Sequence, residues 1–464
     1  MKKMLLALSL SGALLGGSVT WAEEAVTAPA SSEVTAVTVV DQAVLTDPAT
    51  AVAIAPEPAP TTEKPKLDTG DTAWILVSTA LVLLMTIPGL ALFYGGMVRK
   101  KNVLSTMAHS FVAAAIVSIT WVVIGYTLAF GEGNAFIGGL DKIMLSGITT
   151  DALTGSIPEI LFVIFQMTFA IITVAILAGS IAERIKFSSF MVFTAFWVLL
   201  VYAPICHWVW GGGWLMADGA LDFAGGTVVH INAGVAGIVL AAVLGKRNGY
   251  NRDPMAPSNL ALTLIGTGLI WVGWFGFNGG SALAANALAG NALLVTQVAA
   301  AAGALTWFAI EKLVRGKASV LGGASGAVAG LVGITPAAGF VTVAGALAIG
   351  IITSLVCFYA VNYLKRLLKI DDSLDAFGLH GVGGIVGAIL TGVFVSPAIT
   401  GKPLALSTMG QVWVQLEGVF AVIIYCAIVT FIIAKVIQLT MGLRVTDEDE
   451  YTGLDLAIHG ERIE

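Results

Sequence analysis

The feature that most constrains this chain is a series of apolar runs, each about twenty residues long. A run of that length can cross the hydrocarbon core of a bilayer as a helix. Only 11% of the residues are charged and the mean hydropathy is +0.91, whereas a soluble domain carries about 25% charged residues. The sequence therefore predicts an all-α, polytopic membrane protein rather than a soluble enzyme or a nucleic-acid-binding protein.

Eleven transmembrane helices are predicted. They cover residues 72–97, 103–130, 158–182, 188–207, 227–245, 258–278, 291–312, 319–335, 340–364, 377–396 and 409–441.

The chain before the first span is predicted to be processed. Lys2 and Lys3, an apolar stretch and small residues at 20–22 are typical of a signal peptide over residues 1–22; an uncleaved first helix is the alternative. Residues 23–70 are rich in Ala, Pro and Thr, which predicts a disordered extracytoplasmic arm. The membrane domain then covers 71–441, and a charged tail covers 442–464.

Basic residues fall on one side of the predicted membrane. Loops after even-numbered spans carry only Lys142 and Lys402. Loops after odd-numbered spans carry Arg99, Lys100, Lys101, Arg184, Lys186, Lys246, Arg247, Arg252, Lys312, Arg315, Lys317, Lys365, Arg366 and Lys369. The positive-inside rule makes these loops cytoplasmic. The N-terminus is then outside, in agreement with a signal peptide, and the C-terminus is cytoplasmic.

Two histidines inside predicted spans open the same pattern. His230 and His380 each begin a His-x-x-x-Gly-x-x-Gly motif. An ionisable side chain in hydrocarbon is costly and usually faces a cavity or a partner. One buried imidazole can serve only as packing glue between helices, but a matched pair favours a lined pathway. The motifs contain no thiolate or carboxylate, which disfavours a metal site.

A second motif also recurs five spans apart. Residues 89–96 and 273–280 both read Gly-x-x-x-Phe-x-Gly-Gly, in the first and sixth spans. A repeat of five spans places its two halves in opposite orientations, as in many transporters. The sequence thus predicts an inverted five-plus-five repeat with one peripheral helix, in which His230 and His380 are equivalent.

Other residues near the predicted pathway have two interpretations each. Asp222 is either a helix cap or a cation ligand at an outer mouth. Trp210 belongs either to an interfacial aromatic belt or to a cation–π site. Phe169 either packs in the core or faces the pathway. Aromatic rings and imidazoles without a carboxylate disfavour a dehydrated cation and favour a small neutral solute that sheds a proton on entry. Three cysteines, Cys206, Cys357 and Cys426, are interpreted as apolar packing residues.

Four longer strings carry a family resemblance. They are TIPGLALFYGG (86–96), DFAGGTVVHINAG (222–234), GWFGFNGGS (273–281) and DAFGLHG (375–381). Through them, residues 72–464 resemble the ammonium transporter (Amt/Mep/Rh) family, and its bacterial members above all. The resemblance implies eleven helices, an inverted five-plus-five repeat and a homotrimer with one pore per subunit.

The resemblance also assigns a role to each of eight residues. Trp210, Phe169 and Ser281 would bind ammonium outside, Phe169 and Phe277 would form a gate, His230, His380 and Trp274 would line the pore, and Asp222 would act structurally near the entry. The tail would help a cytoplasmic PII-type signalling protein to bind.

The predicted function is uptake of ammonium or ammonia, with methylammonium as an analogue, through the inner (plasma) membrane. No cofactor, metal or nucleic acid is expected. The alternative is an ammonium sensor that signals through a PII-type partner. Only residues 442–464 follow the last predicted span, which favours transport over a sensor with an appended domain. The spans contain no nucleophile, acidic pair or metal cluster, which disfavours an enzyme.

Overall fold

The computed structural model describes residues 66–463, and helices make up most of this part of the chain. The predicted signal peptide and residues 23–65 of the predicted arm lie outside the described residues. Eleven long apolar helices succeed one another. They are α1 (Thr69–Met97), α2 (Lys100–Phe130), α3 (Glu159–Ile181), α4 (Phe187–Ala217), α5 (Gly226–Leu244), α6 (Leu260–Gly279), α7 (Ala287–Arg315), α8 (Val320–Ile334), α9 (Val343–Leu368), α10 (Phe377–Phe394) and α11 (Thr408–Thr440).

Ten of these helices in residues 66–463 are long and apolar enough to cross a membrane, so the prediction of a helical membrane protein is confirmed. The exception is α8, which has 15 residues. At about 1.5 Å per residue it is about 22 Å long, less than the ~30 Å hydrocarbon core. A count of eleven crossings, and the orientation of the termini, therefore stay predictions.

Polar side chains fix the first residues of many helices. Each accepts a hydrogen bond from backbone N–H groups of the first turn, which satisfies donors that have no partner within the helix. These caps are Asp68 on α1, Asn259 on α6, Asn286 on α7, Ser319 on α8, Thr342 on α9 and Ser407 on α11. With the cap at Asp68, α1 begins at Thr69, within the last residues of the predicted arm.

Several long helices widen locally into π turns, which re-aim side chains and recur at functional sites. Three pairs of such turns occur in helices five apart. They are Met85–Leu90 and Phe275–Gly279 in α1 and α6, Val198–Tyr202 and Ala360–Leu364 in α4 and α9, and Gly226–Ile231 and Phe377–Gly381 in α5 and α10. One more π turn, Trp121–Gly125, lies in α2. His230, Phe277 and His380 all lie in π turns.

The helices α5 and α10 cross in direct backbone contact. A Cβ on Gly234 would lie 2.4 Å from Cα of Gly381 in α10. A Cβ on Gly384 would lie 2.8 Å from the carbonyl oxygen of Gly226 in α5. The first glycine of each histidine motif is therefore required where the partner helix passes.

The second glycine of each motif faces a different neighbour. A Cβ on Gly237 would lie 2.5 Å from Ser180 Oγ in α3, and one on Gly387 would lie 2.4 Å from the carbonyl oxygen of Gly333 in α8. The histidine helices are thus packed on α3 and on α8 in the same way.

The segment between α2 and α3 contains the one small departure from an all-helical fold within the described residues. There β1 (Leu153–Thr154) pairs antiparallel with β2 (Ile157–Pro158), with Leu153 opposite Pro158.

The tail folds back along the loops at one end of the bundle. Two short helices, α12 (Asp447–Thr452) and α13 (Leu454–His459), follow α11. Arg444 donates hydrogen bonds to the carbonyl oxygens of Leu244 and Lys246 at 2.9 and 2.8 Å. Asp455 accepts one from the backbone N–H of Ser105 at 2.8 Å. The tail is therefore docked rather than extended into solvent.

Candidate functional site

The two motif histidines meet in the middle of the bundle. His230 Nδ1 and His380 Nδ1 are 3.2 Å apart, and the ring centroids are 5.2 Å apart with planes 26° from parallel. Both side chains are buried. The five-helix repeat predicted that these residues would be equivalent, and they are in direct contact.

The contact between the two Nδ1 atoms restricts their protons. A neutral imidazole carries one N–H, so one Nδ1 donates and the other accepts. The Nε2 of the donor ring is then bare, and the Nε2 of the acceptor ring carries hydrogen. His230 Nε2 is buried without a hydrogen-bond partner among the described residues. The pair can thus offer both a donor and an acceptor to a small polar molecule.

Trp274 holds the first of these rings in place. Its indole stacks on His230 with centroids 5.3 Å apart and planes 19° from parallel. Its Nε1 donates to Thr335 Oγ1 at 2.8 Å, which fixes the indole from α8. Trp274 therefore forms a wall beside the histidine pair.

Two stacked phenylalanine rings lie on one side of His230. The rings of Phe169 and Phe277 are stacked, with centroids 4.3 Å apart and planes 19° from parallel. Phe277 is 6.0 Å from His230, centroid to centroid. Both rings are buried, and they lie between the ring of Trp210 and that of His230.

A cavity of about 190 Å³, here called the aromatic cavity, lies beyond the phenylalanine stack. The ring of Trp210 meets Phe169 edge-on, at 5.8 Å and 90°. The lining of the aromatic cavity includes Phe130, Phe162, Gln166, Phe169, Trp210 and Ser281. Predicted binding residues Trp210, Phe169 and Ser281 are thus brought together around one cavity.

Two side chains offer acceptor oxygens to the aromatic cavity. Ser281 Oγ donates its hydrogen to the carbonyl oxygen of Phe277 at 2.8 Å, which leaves the oxygen lone pairs free. Gln166 Oε1 is buried and accepts no hydrogen bond from the described residues. Aromatic faces with acceptor oxygens suit a small cation that donates hydrogen bonds.

Asp222 caps the helix that carries His230. Its two carboxylate oxygens accept hydrogen bonds from the backbone N–H groups of residues 225–228, at 2.7 to 3.1 Å. All four contacts are to nearby backbone groups, which is the geometry of a helix cap. They favour the structural interpretation of Asp222 over that of a cation ligand. The carbonyl oxygen of Asp222 also accepts a hydrogen bond from Trp210 Nε1 at 2.8 Å, which ties the cap to the aromatic cavity.

A second capping aspartate was missed by sequence reasoning. Asp372 accepts hydrogen bonds from the backbone N–H groups of Ala376 and Phe377 at 3.2 and 2.8 Å, at the start of α10. It lies eight residues before His380, as Asp222 lies eight residues before His230. This equal spacing in the sequence is the signal that could have identified Asp372 as a cap, since it extends the histidine motif towards the N-terminus.

A second cavity, of about 230 Å³, lies beside the start of α10, the helix that carries His380. Its lining includes Leu379, Ser325, Asp375, Lys365 and Glu311, and it is called the polar cavity below. Lys365 Nζ is 2.6 Å from Asp375 Oδ1. Burial raises the pKa of Asp375 to about 6, although the neighbouring Lys365 ammonium lowers it. The aromatic cavity, the phenylalanine stack and the histidine pair thus follow one another.

The residues of this series hold no metal-type ligand set. Across residues 66–463, no three His, Cys, Asp or Glu side chains come together in a way that could hold a metal ion.

Comparisons with known proteins agree on one family. Residues 73–463 match the model of the Ammonium Transporter Family. The chain is 51% identical over 398 residues to an ammonium transporter of Bacillus subtilis (strain 168), covering 85% of this chain and 98% of that protein. It is also 51% identical over 404 residues to an ammonium transporter of Aquifex aeolicus (strain VF5), covering 86% of this chain and 94% of that one.

Solved structures give the same result. The crystal structure of Saccharomyces cerevisiae Mep2 is similar with a TM-score of 0.77 and 38% identity, covering 82% of this chain and 89% of that chain. A structure described as a Sensor Amt Protein is similar with a TM-score of 0.79 and 31% identity, covering 84% of this chain and 98% of that chain.

Proposed function

The chain belongs to the ammonium transporter family, and on that premise we propose that it takes up ammonium by binding the cation, removing its proton and conducting ammonia. The observation that carries the proposal is the order of its parts. A stacked phenylalanine pair separates an aromatic cavity from two buried histidines in contact. It is not an enzyme in this proposal, because the net result is the movement of ammonium or ammonia across the membrane.

Recruitment would take place in the aromatic cavity. An ammonium ion there could lie against the Trp210 and Phe169 rings, and a desolvated cation–π contact contributes up to about 2 kcal/mol. The ion could also donate hydrogen bonds to Ser281 Oγ, whose own hydrogen is directed at the carbonyl oxygen of Phe277. Hydrated sodium or potassium ions donate no hydrogen bonds of their own and gain less from such a site.

The proton would be lost at the stack of Phe169 and Phe277, either to water on the outer side of the stack or to the histidine pair beyond it. Beyond the stack, the buried groups on the path are imidazoles and an indole, with no carboxylate in contact with them. A bare cation in such surroundings is strongly disfavoured, whereas neutral ammonia is not. Ammonia both donates and accepts hydrogen bonds, so it matches the donor and acceptor that His230 and His380 offer together.

We propose the inverted five-plus-five repeat as the architecture of the pathway. Three pairs of π turns in helices five apart support it. Matched packing of Gly237 on α3 and Gly387 on α8 supports it as well. Eleven crossings, with the N-terminus outside and the C-terminus in the cytoplasm, follow from the repeat and from the positive-inside rule.

Several further proposals rest on family membership and on sequence. We propose a homotrimer in the inner (plasma) membrane, with one pore in each subunit. A signal peptide (1–22), an arm (23–70), a membrane domain (71–441) and a regulatory tail (442–464) are the proposed divisions. The docked tail, held by Arg444 against the end of α5, would present a surface to a cytoplasmic PII-type protein.

Radiolabelled methylammonium uptake into proteoliposomes tests the function. Wild-type protein should accumulate the label, and His230→Ala and His380→Ala should each abolish or alter the uptake. Each of these substitutions removes one half of the Nδ1–Nδ1 contact. His459→Ala is the control: His459 lies in the tail and not in that contact, so its loss should not change the uptake. Wild-type uptake in both pore variants would refute the proposed pathway.

The alternative is an ammonium sensor that conducts poorly. The similarity to the Sensor Amt Protein, at 31% identity, supports this alternative. A sensor should bind ammonium and change its affinity for a cytoplasmic partner without accumulating the label. Saturable uptake by the wild type at rates above protein-free liposomes decides for transport.

A further inference from the structure

His207 in α4 has a carbonyl oxygen against each of its two ring nitrogens. Nδ1 is 2.9 Å from the carbonyl oxygen of Ala129, and Nε2 is 2.7 Å from that of Asn134. The side chain is 2% exposed. A carbonyl oxygen can only accept a hydrogen bond, so both ring nitrogens must donate. A neutral imidazole has one N–H and an imidazolium has two, so only the imidazolium can donate to both carbonyl oxygens at once.

The surroundings of the ring favour a positive charge. Ala129 lies in the last turn of α2, which ends at Phe130. Carbonyl groups of a last turn have no partner within the helix, and the helix dipole favours a cation there. A neutral His207 would leave one of these two carbonyl oxygens facing a nitrogen lone pair, which forfeits that hydrogen bond.

The residues after His207 hold the same loop at two further points. Trp208 Nε1 donates to the carbonyl oxygen of Phe136 at 2.8 Å, and the backbone N–H of Trp214 donates to that of Ala135 at 3.0 Å. A Cβ on Gly211 would lie 1.9 Å from the carbonyl oxygen of Ala129, so the two segments are in backbone contact. The end of α2, its loop and the end of α4 form one packed unit.

This packed unit supplies two walls of the aromatic cavity. Phe130 is the last residue of α2, and Trp210 lies three residues after His207. Both line the aromatic cavity. A shift of the loop against α4 would therefore change the distance between Phe130 and Trp210, and with it the fit of a small cation.

We propose that His207 is a positioning residue of the aromatic cavity, which as a doubly protonated imidazolium ties the end of α2 and the loop at Asn134 to the segment that carries Trp210. The inference rests on the proposed function, because it takes this cavity as the ammonium recruitment site. His207 should accordingly set the KM for ammonium. It should leave the maximal rate largely unchanged, since it contacts neither the phenylalanine stack nor the histidine pair.

The protonation state can be measured without any change to the site. Nitrogen-15 solid-state NMR on full-length wild-type protein in lipid bilayers, labelled at histidine, resolves protonated from bare ring nitrogens. His207→Phe identifies the signals of His207 by difference. We expect both of its ring nitrogens to carry hydrogen at neutral pH. One protonated and one bare nitrogen would overturn the inference.

Kinetics test the positioning role with three graded variants. His207→Phe keeps a ring but has no donor, His207→Asn keeps a donor near Nδ1, and His207→Gln keeps one near Nε2. Loss of both hydrogen bonds should raise the KM for methylammonium about threefold in His207→Phe. His207→Asn and His207→Gln should fall between this variant and the wild type, with maximal rates retained.

Two outcomes separate this inference from the proposed function. An unchanged KM in His207→Phe, or in both His207→Asn and His207→Gln where the Phe variant does not fold, overturns the positioning role while transport stands. Absence of uptake by the wild type contradicts the proposed function instead. The NMR result decides the protonation state in either case.

Discussion

Trp210 supplies an aromatic ring to the aromatic cavity, and the orientation of that ring is fixed by a hydrogen bond. Its ring presents an edge to Phe169, and its Nε1 donates to the carbonyl oxygen of Asp222, so the indole is fixed before any ion arrives. A pre-oriented aromatic face contributes affinity without an ordering cost. The strength of recruitment should therefore depend on this side chain more than on any other in the cavity.

We predict that Trp210→Leu raises the KM for methylammonium about fivefold, because it removes a cation–π contact of about 1 kcal/mol. The maximal rate should persist, since the histidine pair is untouched. Trp413→Leu is the control, because Trp413 is 69% exposed near the start of α11 and does not line the aromatic cavity. Uptake kinetics in proteoliposomes report both values. Equal KM values in the Trp210 variant and the wild type would contradict the recruitment role.

Sequence reasoning reached some of these residues and not others, for physical reasons. His230 and His380 stand out because an imidazole in an apolar span is costly wherever it points. His207 also lies in an apolar span, but its partners Ala129 and Asn134 are backbone carbonyl groups. Backbone acceptors carry no sequence signal, so that contact could not be predicted.

Among the helices, α5 and α10 carry most of the pathway. Their π turns contain His230 and His380, and their glycines allow the backbones to touch. The pattern of apolar runs predicted where these helices begin and end. It could not predict the π turns, because a wider turn leaves the apolar pattern of a fully buried helix unchanged.

We predict that Gly234→Ala lowers the thermal stability of the protein in detergent. Its Cβ would lie 2.4 Å from Cα of Gly381, and backbone cannot move aside as a flexible side chain does, so the cost should be about 1–3 kcal/mol. Gly268→Ala is the matched control, since nothing lies within 4 Å of its added Cβ. Equal melting temperatures for the two variants would contradict the close crossing of α5 and α10.

At the scale of the whole molecule, orientation decides the direction of uptake. The basic loops and the docked tail lie together: Lys101 donates to the carbonyl oxygen of Glu450, and Arg444 donates to that of Lys246. By the positive-inside rule we propose that this face is cytoplasmic and that the aromatic cavity opens outside.

We predict that a cysteine at Lys402 reacts with a membrane-impermeant maleimide added to intact spheroplasts, whereas a cysteine at Lys317 reacts only after lysis. Both positions are exposed, and the native Cys206, Cys357 and Cys426 are buried, so background labelling should be low. The reverse pattern would place the basic face outside and contradict the assigned direction.

Whole-molecule features divide in the same way between predictable and unpredictable. Loop charges alone suggested the face on which Arg444 and the tail lie. Where the tail docks depends on partners such as Asn102, which accepts a hydrogen bond from the backbone N–H of Leu454 at 2.8 Å. These residues are more than 350 positions apart in the chain, and no local pattern links them.

The central claim is that the series from Trp210 to His380 moves ammonium selectively. The most direct test is an ammonium pulse on proteoliposomes attached to a solid-supported membrane, with transported charge recorded and an internal dye reporting pH. We expect ammonium to produce a saturable current or an internal alkalinisation, and potassium at the same concentration to produce neither. Potassium responses equal to those with ammonium, or no current and no pH change in either salt, would contradict it.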